Sequence, residues 1–138
     1  MIDCENEIFA LVAGTVRQTY PDLYITGAYV RAPAKFPCVS IEEKNNAVWR
    51  NSRDSGAIEN AVAVMYEINV YSNLKNGKKD ECKAITAVVD EAMEKLGFTR
   101  TMLNPLPNQA DATIYRMTGR YQAIVGKDKN GGFIIYKR

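Results

Sequence analysis

Hydrophobic side chains recur along this chain in two periods, and the switches between them lay out its elements. Ile8, Leu11, Val12, Thr15 and Val16 fall at the three, four and seven spacings of one helical face, predicting a helix from about Asp3 to Thr19 that Tyr20-Pro21 ends. Asp3, Glu5 and Glu7 lie where the positive end of its dipole favours them, with Arg17 toward the other end. Leu23 to Val30, rich in Tyr, Ile and Val, then reads as a strand. Phe36 to Glu42 reads as another, and Pro33 and Pro37 predict that it starts late or at an edge. Ala61 to Tyr71 alternates strictly: Val62, Val64, Tyr66, Ile68 and Val70 share one face, while Glu67 and Asn69 turn the other toward solvent or a partner.

The period changes again after a polar turn at 73–79. Ile85, Val88, Val89, Ala92, Met93 and Leu96 form an apolar helical stripe with Gly97 placed as its C′ residue. Phe98 to Leu106 is extended, and Pro105 and Pro107 frame a turn. The last third alternates from Thr113 to Val125 and re-enters after Asn130-Gly131-Gly132, whose glycines accept the positive φ of a tight reversal, so a C-terminal hairpin spans 113–138. Between the strands lies a polar stretch, about 43–60, that reads as a long hairpin loop or as the frayed ends of two strands. The predicted order is α-β-β-β-α-β-β-β in one domain, 1–138. That order implies an α+β fold, a mostly antiparallel sheet with two helices packed on one face.

Composition changes this picture little. With 138 residues, 46% hydrophobic and 25% charged, the chain can bury a core without staples. The start Met1-Ile2-Asp3-Cys4-Glu5 is acidic where a signal peptide is basic, no apolar run reaches membrane-spanning length, and an intracellular, soluble protein is expected. A net charge of +2 with interspersed signs predicts solubility and no particular partner. Cys4, Cys38 and Cys82 are far apart, form no CxxC pair, and are expected to be reduced core residues.

Candidate chemistry is sparse. The sequence has no histidine, so the commonest general base and metal ligand is missing, and no cofactor or metal site is expected. Gly77, Gly97, Gly126, Gly131 and Gly132 are expected at turns or helix ends, not in a phosphate loop. Asp54-Ser55-Gly56 lacks the strand-turn-helix context of a nucleophile elbow. The adjacent carboxylates Glu42-Glu43, Asp80-Glu81 and Asp90-Glu91 point apart on any regular element and cannot converge as acid and base. A non-enzymatic role follows as the expectation.

Two basic clusters offer a nucleic-acid reading: Trp49, Arg50 and Arg53 in the polar stretch, and Arg116, Arg120 and Tyr121 in the hairpin. Arg116 and Arg120 are four apart on a strand, hence on one face, where phosphates could be met. Cross-strand pairing with acids, or a subunit contact, is the expected explanation, and direct nucleic-acid binding is not expected. Tyr20, Tyr24, Tyr29, Trp49 and Tyr71 suit contacts between subunits, although core packing serves as well for Tyr24 and Tyr71. Trp49, among polar neighbours, reads as a contact residue.

The run from Val64-Met-Tyr-Glu-Ile-Asn-Val-Tyr-Ser-Asn73 through Leu74-Lys-Asn-Gly-Lys-Lys-Asp80 to a helix ending Met93-Glu-Lys-Leu-Gly-Phe98, then Asn104-Pro-Leu-Pro-Asn108 and Ile114-Tyr-Arg-Met-Thr-Gly-Arg-Tyr121, resembles the lambda-type tail terminators of long-tailed phages and prophages. The resemblance covers residues 2 to 138 and is strongest from 64 onward. It implies an α+β subunit that assembles as a homohexameric ring on the last ring of the tail tube, stops polymerisation and offers a docking surface to the head connector. The partners implied are the chain itself, the tail tube protein and the head connector protein, in the virion tail or neck after assembly in the host cytoplasm. By position, Trp49, Arg50, Arg53 and Asp54 become candidate ring or tube contacts, and Arg116 and Arg120 candidate subunit contacts. Another neck protein, a head-completion or connector adaptor, is the alternative, and a cellular binding module a more distant one.

Overall fold

A computed structural model describes residues 1–28, 33–49, 61–107, 111–127 and 132–136. The order of elements is α1 (Glu5–Thr19), β1 (Tyr24–Thr26), β2 (Cys38–Val48), β3 (Ala61–Ser72), α2 (Lys78–Leu96), β4 (Thr99–Pro107), β5 (Tyr115–Lys127) and β6 (Phe133–Tyr136). This is the α+β arrangement the pattern predicts: among the described residues six strands form one sheet, ordered β1-β2-β3-β5-β4, with β6 on β5. Every pairing is antiparallel except β1 with β2. β4 pairs with β5 from Tyr115 to Gln122 and β6 pairs with it from Ile124 to Lys127, so the two share one edge of the longest strand.

Alternation assigns the faces. Val62, Val64, Tyr66, Ile68 and Val70 of β3 and Met117, Tyr121, Ala123 and Val125 of β5 lie in one core cluster with Ile8, Val12 and Val16 of α1 and Ile85, Val89 and Met93 of α2. Both helices therefore cover the same side of the sheet. The predicted stripe of α2 is this buried face, and Gly97 closes the helix at φ 106°, where Gly97 N and Phe98 N bond the carbonyls of Glu94 and Met93. The stripe of α1 is rotated from the prediction. Its buried residues are Ile8, Val12, Ala13 and Val16, with Phe9 packed beside them, whereas Leu11 is 48% exposed and Thr15 exposed. Counted from Ile8, Phe9 and Ala13 supply the i+1 and i+5 positions that complete a wide apolar face, and Leu11 is left outside it.

Other expectations change as well. β2 does not end at Glu42 but runs to Val48, so the first third of the expected 43–60 loop is strand, paired with β3 as far as Val48 opposite Val62. An irregularity in register between Glu43 and Asn45 accommodates the polar run. β1 is shorter than predicted, Tyr24–Thr26, and Tyr24 is 37% exposed and not core, whereas Tyr71 is buried. Gly126 lies within β5, opposite Ala61 and Ile134, not at a turn. Pro105 and Pro107 sit in β4 itself, which is an edge strand in this part and tolerates them. β2 begins only after Pro37, as its prolines predict. The reversal at 128–131 and residues 50–60 and Tyr29 lie outside the described residues.

Candidate functional site

Tyr121, grouped in the sequence with Arg116 and Arg120, is buried on the helix side against Asp90 of α2, whereas the two arginines are carried by the sheet face opposite the helices. On it stand Ser40 and Glu42 of β2, Met65, Glu67, Asn69 and Tyr71 of β3, and Arg116, Thr118, Arg120, Gln122 and Ile124 of β5, in register. Arg116 and Arg120 do share a face, as their spacing requires, and each meets a β3 neighbour. Arg120 stands directly across from Glu67 and its Nε lies 3.3 Å from the carboxylate. Arg116 donates from Nε to Asn69 Oδ1 at 2.9 Å and stacks over the Tyr71 ring at 5.8 Å. Cross-strand pairing with an acid is thus observed for Arg120 and pairing with an amide for Arg116.

The middle of this face is polar and buried, which the alternation does not announce. Ser40, Asn69 and Thr118 line up across β2, β3 and β5, all at most 1% exposed. Thr118 donates its hydroxyl to Asn69 Oδ1 at 2.6 Å, and with Arg116 on the same oxygen the amide orientation of Asn69 is fixed. Glu42 and Glu67 stand opposite one another, one step along the strands, with Lys44 Nζ 3.6 Å from Glu42 and 4.0 Å from Glu67. Ser40 Oγ, Glu42 Oε1 and Asn69 Nδ2 are buried and find no hydrogen-bond partner among the described residues. On one side of this strip Cys38, Tyr71 and Ile114 form a small apolar cluster with Phe36 against it.

On the other side the face sets aromatic and apolar side chains beside polar ones. Trp49, half-buried at the end of β2 and tied by its backbone N–H to Ala61 O at 2.9 Å, lines a hollow of about 230 Å³ with Met65, Ile124, Tyr136, Thr99 and Gln122. The hollow opens where β4 and β6 meet on the edge of β5. Trp49 is therefore at a strand end beside other apolar groups, not in mid-loop. Arg50, Arg53 and Asp54, and with them Ser55 and Gly56, lie outside the described residues.

The adjacent carboxylates diverge as expected. Glu43 faces the helices, with Tyr66 donating to its Oε1 at 3.2 Å, while Glu42 faces away. Asp90 accepts from Tyr121 at 3.0 Å and from Arg100 at 3.2 Å, and Glu91 pairs with Lys95 outside. Ser72 donates to Glu81 at 2.6 Å. The pair that does converge, Glu42 with Glu67, comes from two strands 25 residues apart in numbering and needs the β2–β3 register to be seen. Burial pushes the Tyr121 hydroxyl up, aided by Asp90, and raises the thiols of Cys4 and Cys38 to about 11 and Cys82 to about 12. All three cysteines are free, buried and protonated at neutral pH, as core residues and not nucleophiles. Among the described residues no three His, Cys, Asp or Glu side chains gather as metal ligands, and no helix is long and apolar enough to cross a membrane.

The chain matches no protein-family model and no curated protein sequence.

Proposed function

We propose that the protein is a virion assembly subunit of the tail-terminator kind. In this role it closes the end of a phage tail tube as a homohexameric ring, halts tube polymerisation and presents the surface to which the head connector docks. The observation that supports the reading is the helix-free sheet face: a polar strip bearing both signs of charge, beside a hollow lined by Trp49, Met65 and Tyr136. A ring subunit needs surfaces that stay soluble alone and gain strength when repeated around a closed axis. Aromatic, Met and Arg side chains are the types enriched in such contacts.

Trp49, Arg116 and Arg120 then serve subunit or tube contacts, and Arg50, Arg53 and Asp54 follow Trp49 directly in the chain. Because Arg116 and Arg120 already engage Asn69 and Glu67, contact between proteins suits them better than phosphate binding. The role requires no catalysis and no cofactor. The test is to add purified protein to growing tail tubes and measure their lengths by electron microscopy. Capping stops elongation and leaves a ring of extra density at one end; tubes that grow unchanged and bare would overturn the reading.

A further inference from the structure

We propose that Asn76, in the turn between β3 and α2, is a site of spontaneous deamidation that converts it to aspartate or isoaspartate. The inference is independent of the ring reading, since it rests on one turn and one peptide bond. The backbone nitrogen of Gly77 attacks Cγ of Asn76, a C–N bond forms and the side-chain nitrogen leaves as ammonia. Water then opens the cyclic imide at either carbonyl, so one amide and one water give one carboxylic acid and one ammonia.

The fold denies this reaction to the other described asparagines. Asn6 is held in α1, Asn45 and Asn46 in β2 and Asn69 in β3, where a hydrogen-bonded backbone cannot swing the next nitrogen onto the side chain. Asn104 precedes Pro105, whose nitrogen carries no hydrogen to lose. Asn73 precedes Leu74, a branched residue whose N–H is donated to Ser72 Oγ at 3.4 Å.

At Asn76 each obstacle is lifted. The residue is exposed in a turn, and Gly77 after it adopts φ 91°, where a Cβ would meet nothing within 4 Å, so the space around the reacting peptide is open. The Gly77 carbonyl accepts from Glu81 N at 2.9 Å and starts α2, but among the described residues its N–H makes no hydrogen bond. That N–H must lose its proton to attack, and the resulting anion lies at the positive end of the α2 dipole, flanked in the chain by Lys75, Lys78 and Lys79. The same charges favour the carboxylate that forms. The product therefore keeps the helix, lowers the net charge of +2 by one and, as isoaspartate, lengthens the main chain of the turn by one carbon. Asn130-Gly131 repeats the dipeptide but lies outside the described residues.

The test ages the full chain in warm, mildly alkaline buffer, with circular dichroism confirming that it stays folded. Cleavage after Glu67 and Glu81 then releases peptide 68–81, which carries Asn69, Asn73 and Asn76 together, and tandem mass spectrometry reads each one. A synthetic peptide of the same sequence, aged alongside, gives the rate without the fold. Asn76 should convert in the folded chain at a rate within a few-fold of the free peptide, as a mixture of aspartate and isoaspartate, while Asn69 and Asn73 remain amides. Asn76→Gln, which would have to close a larger ring, should leave peptide 68–81 unchanged. An Asn76 that keeps its amide in the folded chain while the free peptide converts would overturn the proposal, and so would an Asn73 that converts as fast as Asn76.

Discussion

At the scale of single residues, burial decides which titrations matter. Desolvation raises the pKa of Glu43, against the opposing bonds from Tyr66 and Asn46, with Glu5 and Asp3 adding to the rise. A carboxyl whose folded pKa lies above its unfolded value favours the fold most while it is protonated, below about pH 4. That contribution is lost as pH rises through the folded value. Glu43→Gln, which keeps the shape without the charge, should therefore match wild type at acid pH and exceed it toward neutrality, in thermal melts followed by circular dichroism. Melting curves that stay superimposed across that range would contradict the assignment. The thiols carry the same lesson in another form: with pKa values raised to about 11 or 12, Cys38 and Cys82 should resist alkylation by iodoacetamide at neutral pH until the chain unfolds.

At the scale of elements, β5 is the strand on which the sheet and α2 are fastened together. A Cβ on Gly119 would lie 3.0 Å from the ring of Tyr121 and 3.2 Å from its hydroxyl, whose bond reaches Asp90 on α2. Gly119→Ala should displace that ring, break the strand-to-helix bond and cost roughly 1–3 kcal/mol, as measured by urea unfolding. Gly97→Ala should cost about 1–2 kcal/mol for a different reason, the left-handed backbone of the α2 cap at φ 106°. The elements themselves were legible in the sequence because period and cap signals are local: the stripe of α2, its terminal glycine and the alternation of β3 all stand where they are read. Less legible were β2 and α1. A polar run such as Glu43 to Asn46 carries no strand period on its own, and only pairing with β3 makes it one. In α1 the pull of Leu11 and Thr15 hid that Ala13 and Phe9 complete the buried face. The candidate site was half legible. Arg116, Arg120 and Trp49 stand out by type, but the Ser40–Asn69–Thr118 row and the Glu42–Glu67 pair exist only through register.

At the scale of the whole molecule, the two described helices seal one side of the sheet, and the proposed contacts fall on the other. Replacing Val89, 1% exposed at the centre of the sealed side, by Asp should unfold the chain outright, since an unpaired buried charge costs several kcal/mol. Trp49→Ala should keep the fold, because its side chain borders a hollow on the opposite side, and should impair assembly. Charge reversal at Arg116 and Arg120 should leave migration on a low-salt gel with DNA unchanged, because the wild type itself should not be retained. Sedimentation velocity of the wild-type chain tests the central claim most directly. The account predicts a species near six times the 15.4 kDa monomer that grows in with concentration. A single monomeric boundary at every concentration would contradict it.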